Sequence, residues 1–77
     1  MKAKEMFEKL GYKEINIVEE YGDGYDESEF IEYKKGKLDW ISINKIEGSY
    51  CHEDRQGITL EEHKAITQLL KELGFLE

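Results

Sequence analysis

Ala3-Lys4-Glu5-Met6-Phe7-Glu8-Lys9-Leu10-Gly11-Tyr12 reads like Ile66-Thr67-Gln68-Leu69-Leu70-Lys71-Glu72-Leu73-Gly74-Phe75. Shifted by 63 positions, Met6 meets Leu69, Phe7 meets Leu70, Leu10 meets Leu73, Gly11 meets Gly74 and Tyr12 meets Phe75. Each segment carries apolar residues at i, i+3, i+4 and i+7, the spacing of one helix face, and closes on Leu-Gly-aromatic. A glycine there can take the left-handed conformation that ends a helix, and the aromatic that follows can fold back on the last turn. The spacing therefore predicts two capped helices, over about Lys2–Leu10 and Leu60–Leu73. The second starts at a capping box, Thr59-Leu60-Glu61-Glu62.

Between the helices the apolar pattern changes to that of strands. Tyr12–Glu20 carries Ile15, Ile17 and Val18, a β-branched run that predicts one strand. Tyr21–Ser28 holds two glycines and several acids and reads as a loop. Glu29–Lys34 and Leu38–Asn44 alternate on either side of Lys35-Gly36 and predict a hairpin turning there. Ile31, Tyr33, Ile41 and Ile43 fall on one face, and Phe30, Leu38 and Trp40 on the other. Ile46–Ser49 predicts another turn, with Tyr50-Cys51-His52 a short fourth strand. The expected fold is a single α+β domain over residues 1–77, α-β-β-β-(β)-α, its antiparallel meander packed on two terminal helices. Large apolar groups on both hairpin faces imply that helices cover both, or that one face meets a second subunit.

A chain of 77 residues buries only about 60–65% of its unfolded surface, so its core is thin and a homodimer would enlarge it. With 39% hydrophobic residues it is too apolar to be disordered. No apolar run approaches the ~20 residues of a membrane span. The start, Met1-Lys2-Ala3-Lys4-Glu5, lacks the apolar core of a signal peptide. The single cysteine allows no internal disulfide, and these features together predict a cytoplasmic protein. The net charge of −7 opposes binding to nucleic acid or anionic membrane and suits a basic protein partner or simple solubility.

The segments KAKEMFEKLGY (2–12) and ITLEEHKAITQLLKELGF (58–75) resemble the ends of a set of small uncharacterised proteins from phages and prophages of low-GC Gram-positive bacteria. FIEYKKG (30–36) is similar to their hairpin. The two end segments hold 11 and 18 residues, 29 of the 77. The resemblance implies an intracellular phage or prophage setting and brings no activity, cofactor or site residue with it.

Cys51-His52-Glu53-Asp54 together with His63 is the densest set of ligand-type side chains. Zinc wants a tetrahedral set, and adjacent Cys51 and His52 on a strand point to opposite faces, with no C-x2-C or H-x3-H spacing nearby. The expectation is a buried Cys51 acting as a small hydrophobe, a His63 that flanks the core, and no bound metal or cofactor. Read as a calcium loop from Asp23, position 3 is Tyr25 and position 6 is Ser28, so the EF-hand pattern fails. Cys51 with His52 or His63 is the only thiol–base pairing, and Ser28, Ser42 and Ser49 lack the G-x-S-x-G context. Gly22 and Gly24 lie among acids that would repel phosphate. These readings exclude no chemistry outright, but they favour a protein that is not an enzyme.

The interaction reading rests on Tyr21, Tyr25, Tyr33, Tyr50 and Trp40, read as exposed aromatics, and on an acidic stretch. Glu19, Glu20, Asp23, Asp26, Glu27, Glu29 and Glu32 follow one another without a Lys or Arg. Aromatics beside acids are typical of protein-binding patches. The candidate protein-binding residues are Tyr21, Asp23, Tyr25, Asp26, Glu27, Phe30 and Trp40. Competing readings are a small-ligand or metal-binding domain built on His52, Glu53, Asp54 and His63, and a structural phage component.

Overall fold

A computed structural model of the chain describes residues 1–22, 24, 29–53 and 57–77. In chain order the elements are α1 (Ala3–Lys9), β1 (Lys13–Ile15), α2 (Ile17–Tyr21), β2 (Phe30–Gly36), β3 (Asp39–Asn44), β4 (Tyr50–Glu53) and α3 (Leu60–Glu72). The four strands form one antiparallel sheet in sequential order. The α+β architecture with a meander between terminal helices is as expected, with one helix more.

Both terminal helices end in the predicted motif. Gly11 and Gly74 have φ of 93° and 92°. The Tyr12 amide donates to the Phe7 carbonyl and Phe75 to Leu70, while Gly11 and Gly74 donate to Glu8 and Lys71. These are the paired bonds of a Schellman motif, which occupy carbonyls the helix end would otherwise leave open. At the start of α3 the Thr59 hydroxyl accepts from the Glu62 amide, and the Glu62 carboxylate accepts from the Thr59 amide. Lys2 gives α1 no side-chain cap. The Glu72 carboxylate does so from the far end of the chain, accepting the Ala3 amide at 2.7 Å. It sets a negative charge on the positive end of the α1 dipole.

The helices α1 and α3 lie against one face of the sheet. Ala3, Phe7, Tyr12, Tyr33, Ile41, Ile43, Ala65, Ile66 and Leu69 form the core. The Phe7 ring stacks on Tyr33 at 4.2 Å between centroids and meets Tyr12 edge-on at 5.7 Å. Glu62 is also buried, and there it accepts a hydrogen bond from the Tyr12 hydroxyl. One carboxylate thus ties the start of α3 to the residue that closes α1.

Three expectations are corrected. Tyr12–Glu20 is not one strand: β1 stops at Ile15, and Ile17–Tyr21 is a helix because the Asn16 side chain accepts from the Glu19 amide as an N-cap. The hairpin turns at Lys37-Leu38 rather than Lys35-Gly36, because an irregularity between Lys34 and Gly36 carries β2 further. Tyr33, read as an exposed aromatic, is 1% exposed. The turn after β3 is where expected, held by the Asn44 carboxamide accepting from Ile46 and Glu47.

Candidate functional site

The second face of the sheet, away from α1 and α3, is the candidate site. Register places its side chains in rows across the strands. Lys13, Lys34, Trp40 and Glu53 form one row, and Ile15, Glu32, Ser42 and Cys51 the next. Phe30 lies beyond Glu32 on β2. The short helix α2 crosses this face, bringing Ile17 and Tyr21 onto it.

A polar chain fastens α2 down. The Tyr21 hydroxyl donates to the Glu32 carboxylate, and Lys34 bonds Glu20 at 3.3 Å. The Lys34 ammonium also hydrogen-bonds Tyr21 and lies 5.3 Å from the centre of its ring. That bond to Tyr21, opposed by burial and helped by Glu20, holds the ammonium above its usual range. Partial burial and then the Glu32 carboxylate push the Tyr21 hydroxyl up. Glu32 is itself only 6% exposed.

Between α2 and β4 the face sinks into an open trough of about 340 Å³. Its origin is in the side-chain sizes. Ser42 and Cys51 are small and sit next to each other across β3 and β4, while Phe30, Trp40, Ile17 and Tyr21 stand around them. Lys34 and Lys37 line its hairpin end. The Trp40 indole donates to the Glu53 carboxylate at 3.1 Å.

The candidate residues thus separate. Tyr21, Phe30 and Trp40 meet around the trough. Asp23, Tyr25, Asp26 and Glu27 lie outside the described residues, as does Asp54. Cys51 is exposed, not buried as expected, because β4 is the edge strand and its side chain lies on the open face. Glu53 shares that face, while His52 points to the other. His63 is exposed on α3 rather than flanking the core. Among the described residues no group of three or more His, Cys, Asp or Glu is placed to hold a metal ion. No described helix is long and apolar enough to cross a membrane.

The reading from sequence missed the trough. It named the three aromatics, Tyr21, Phe30 and Trp40, but not Ser42, whose small size makes the depression, nor Ile17, which it places in a strand. The signal was present in the even-numbered positions of β2 and β3, where bulky Phe30 and Trp40 flank small Ser42.

No protein-family model, curated protein or solved structure matches the chain.

Proposed function

We propose that the chain is a non-enzymatic protein-interaction module that docks a basic protein surface through the open face of its sheet. The observation that supports this best is the set of large side chains on that face. Phe30 and Trp40 are only half-buried, and Tyr21 is more than two-fifths exposed at 42%. Aromatic anchors set in a polar rim are the residues that carry binding energy in protein interfaces. The acidic stretch from Glu19 to Glu32 and the net charge of −7 favour a basic partner, steered in at a salt-dependent rate. Glu32 is turned inward onto Tyr21, so the charge offered to a partner comes from the other acids of that stretch. The resemblance of the chain's ends to phage and prophage proteins makes a host or phage protein the natural partner. An exposed thiol at Cys51 suits a reducing cytoplasm, where it would stay unpaired.

The test is affinity capture from host lysate, by the wild-type chain and by two folded variants. One reverses Asp23, Asp26 and Glu27 to lysine, and the other is Trp40→Lys. A discrete basic protein held by the wild type, released by salt and lost from both variants is the expected result. Capture that is unchanged in both variants, with unchanged salt dependence, would overturn the proposal.

A further inference from the structure

Among the described residues the unpaired positive charge on the trough's lining is that of Lys37, since Lys34 is paired with Glu20, while the carboxylates of Glu32 and Glu53 keep their charge although hydrogen-bonded. Glu32 is buried and takes the Tyr21 hydroxyl, Glu53 takes the Trp40 indole, and Glu20 takes Lys34. Among the described residues no carboxylate pairs with Lys37 at the trough's edge, nor with Lys13. Lys13 sits directly across from Lys34 on the same face, a like-charge pair that disfavours the sheet. Among the described residues Lys13 and Lys37 thus lack a carboxylate partner on either side of the paired Lys34, in a chain whose net charge is −7. An anion placed there would relieve them.

The rest of the trough is mainly apolar, with the Glu32 carboxylate among its lining. Its floor is Ser42 and Cys51, and Trp40 and Phe30 stand on β3 and β2 beside it. At about 340 Å³ it falls at the lower end of the ~300–1,000 Å³ of small-molecule sites, which are mainly apolar with a few placed polar groups.

We infer that this trough binds a small aromatic carboxylate, its ring over Ser42 and Cys51 between Trp40 and Phe30 and its acid group at Lys37 and Lys34. The ring gains aromatic contact and apolar burial, and the carboxylate gains charge-assisted hydrogen bonds at the mouth. The ligand would take the same Trp40 and Phe30 that the partner reading uses, but its binding is read on the chain alone, so either can fail without the other.

Trp40 is the only tryptophan and Cys51 the only thiol, so each reports on the trough without ambiguity. The probes are 2-naphthoate and, matched in size but opposite in charge, 2-naphthylmethylamine, titrated against ¹⁵N-labelled protein. The expected result is a saturable shift of the Trp40 indole resonance with naphthoate at millimolar concentration or below, and binding of the amine weaker by roughly tenfold or more. Lys37→Glu should weaken naphthoate by a similar factor while leaving the circular dichroism unchanged. Naphthoate should also slow alkylation of Cys51 by N-ethylmaleimide. Ser42→Leu should abolish the shift by filling the floor. Should that variant fail to fold, the wild-type chain alkylated at Cys51 provides the filled trough. No saturable shift with naphthoate, equal binding of the amine, or unchanged affinity in Lys37→Glu would each overturn the assignment.

Discussion

Gly48 shows how one residue can hold the C-terminal end in place. Its φ is +78°, and a Cβ built on it would lie 2.8 Å from the Phe75 ring. The turn after β3 thus supplies a bare backbone against which the aromatic closing α3 rests. Gly48→Ala should cost roughly 1–3 kcal/mol, from the left-handed backbone and from displacing the ring. In a Phe75→Ala background the cost should shrink, because only the backbone part remains. Additive urea-denaturation energies would show that the ring does not matter. Gly74→Ala, where φ is +92° and the added Cβ meets nothing, isolates the backbone term and should cost about 1 kcal/mol. Glu62 carries a different kind of constraint. Burial pushes its carboxyl up, but hydrogen bonds from the Tyr12 hydroxyl and Thr59, with the Lys35 charge nearby, outweigh this and leave it below the ordinary glutamate range. A carboxyl whose folded pKa lies below its unfolded value contributes stability that is complete above the unfolded value. That contribution is lost as the pH falls through the folded one. Tyr12→Phe should therefore cost about 1.5–3 kcal/mol near neutral pH and flatten the acid limb of a stability–pH curve. A limb as steep as the wild type's would show that Tyr12 is not what holds the carboxyl down.

At the scale of elements, α2 is the weakest piece and the most informative. It has five residues, too short to persist alone, and one buried side chain, Ile17. What holds it is the Asn16 cap at one end and the Tyr21–Glu32 and Glu20–Lys34 contacts at the other. Asn16→Ala should cost about 1 kcal/mol locally. Amide exchange should quicken at Glu20 and Gly22, which bond back to Asn16 and Val18, with α3 unaffected. Equal acceleration in α3 would mean that α2 melts only with the whole domain. The same helix marks the limit of what could be read from the chain. The terminal helices, their glycine caps and the Thr59 box were legible because each rests on local chemistry at fixed spacing. Ile15, Ile17 and Val18 look like one strand by their β-branched composition, which masks the helix start in Asn16-Ile17-Val18-Glu19, a side-chain cap three residues ahead of an acid. The hairpin faces were legible from period-two alternation, yet the turn slipped to Lys37-Leu38, since an extra residue in β2 leaves no mark in the pattern. Cys51 was misplaced for a tertiary reason: whether a strand lies at the edge of a sheet is not written in the strand. The trough needed both errors undone, since α2 forms one wall and Cys51 part of the floor.

For the whole molecule, the question is what becomes of the face that α1 and α3 leave open. All of the core cluster lies on the other side, and among the described residues α2 covers this one only in part. A chain this short buries a small share of its surface, and a second copy is the nearest source of more. Two copies related by a twofold axis would bring the same patch of each together, Trp40 and Phe30 against their equivalents. The lysines at the hairpin end could then meet acids of the other copy, easing the Lys13–Lys34 repulsion that a monomer retains. We therefore expect the wild-type chain to sediment as a dimer at micromolar concentration, and Trp40→Lys to sediment as a monomer with unchanged circular dichroism. Trp40 is half-buried, and its replacement need not disturb the core packed on the opposite face. A dimer on this face would also cover the trough, so naphthoate and the second copy should compete, and added naphthoate should shift the wild-type boundary toward monomer. A wild-type chain that is monomeric throughout the micromolar range would end the dimer reading and leave the open face to ligand and partner alone.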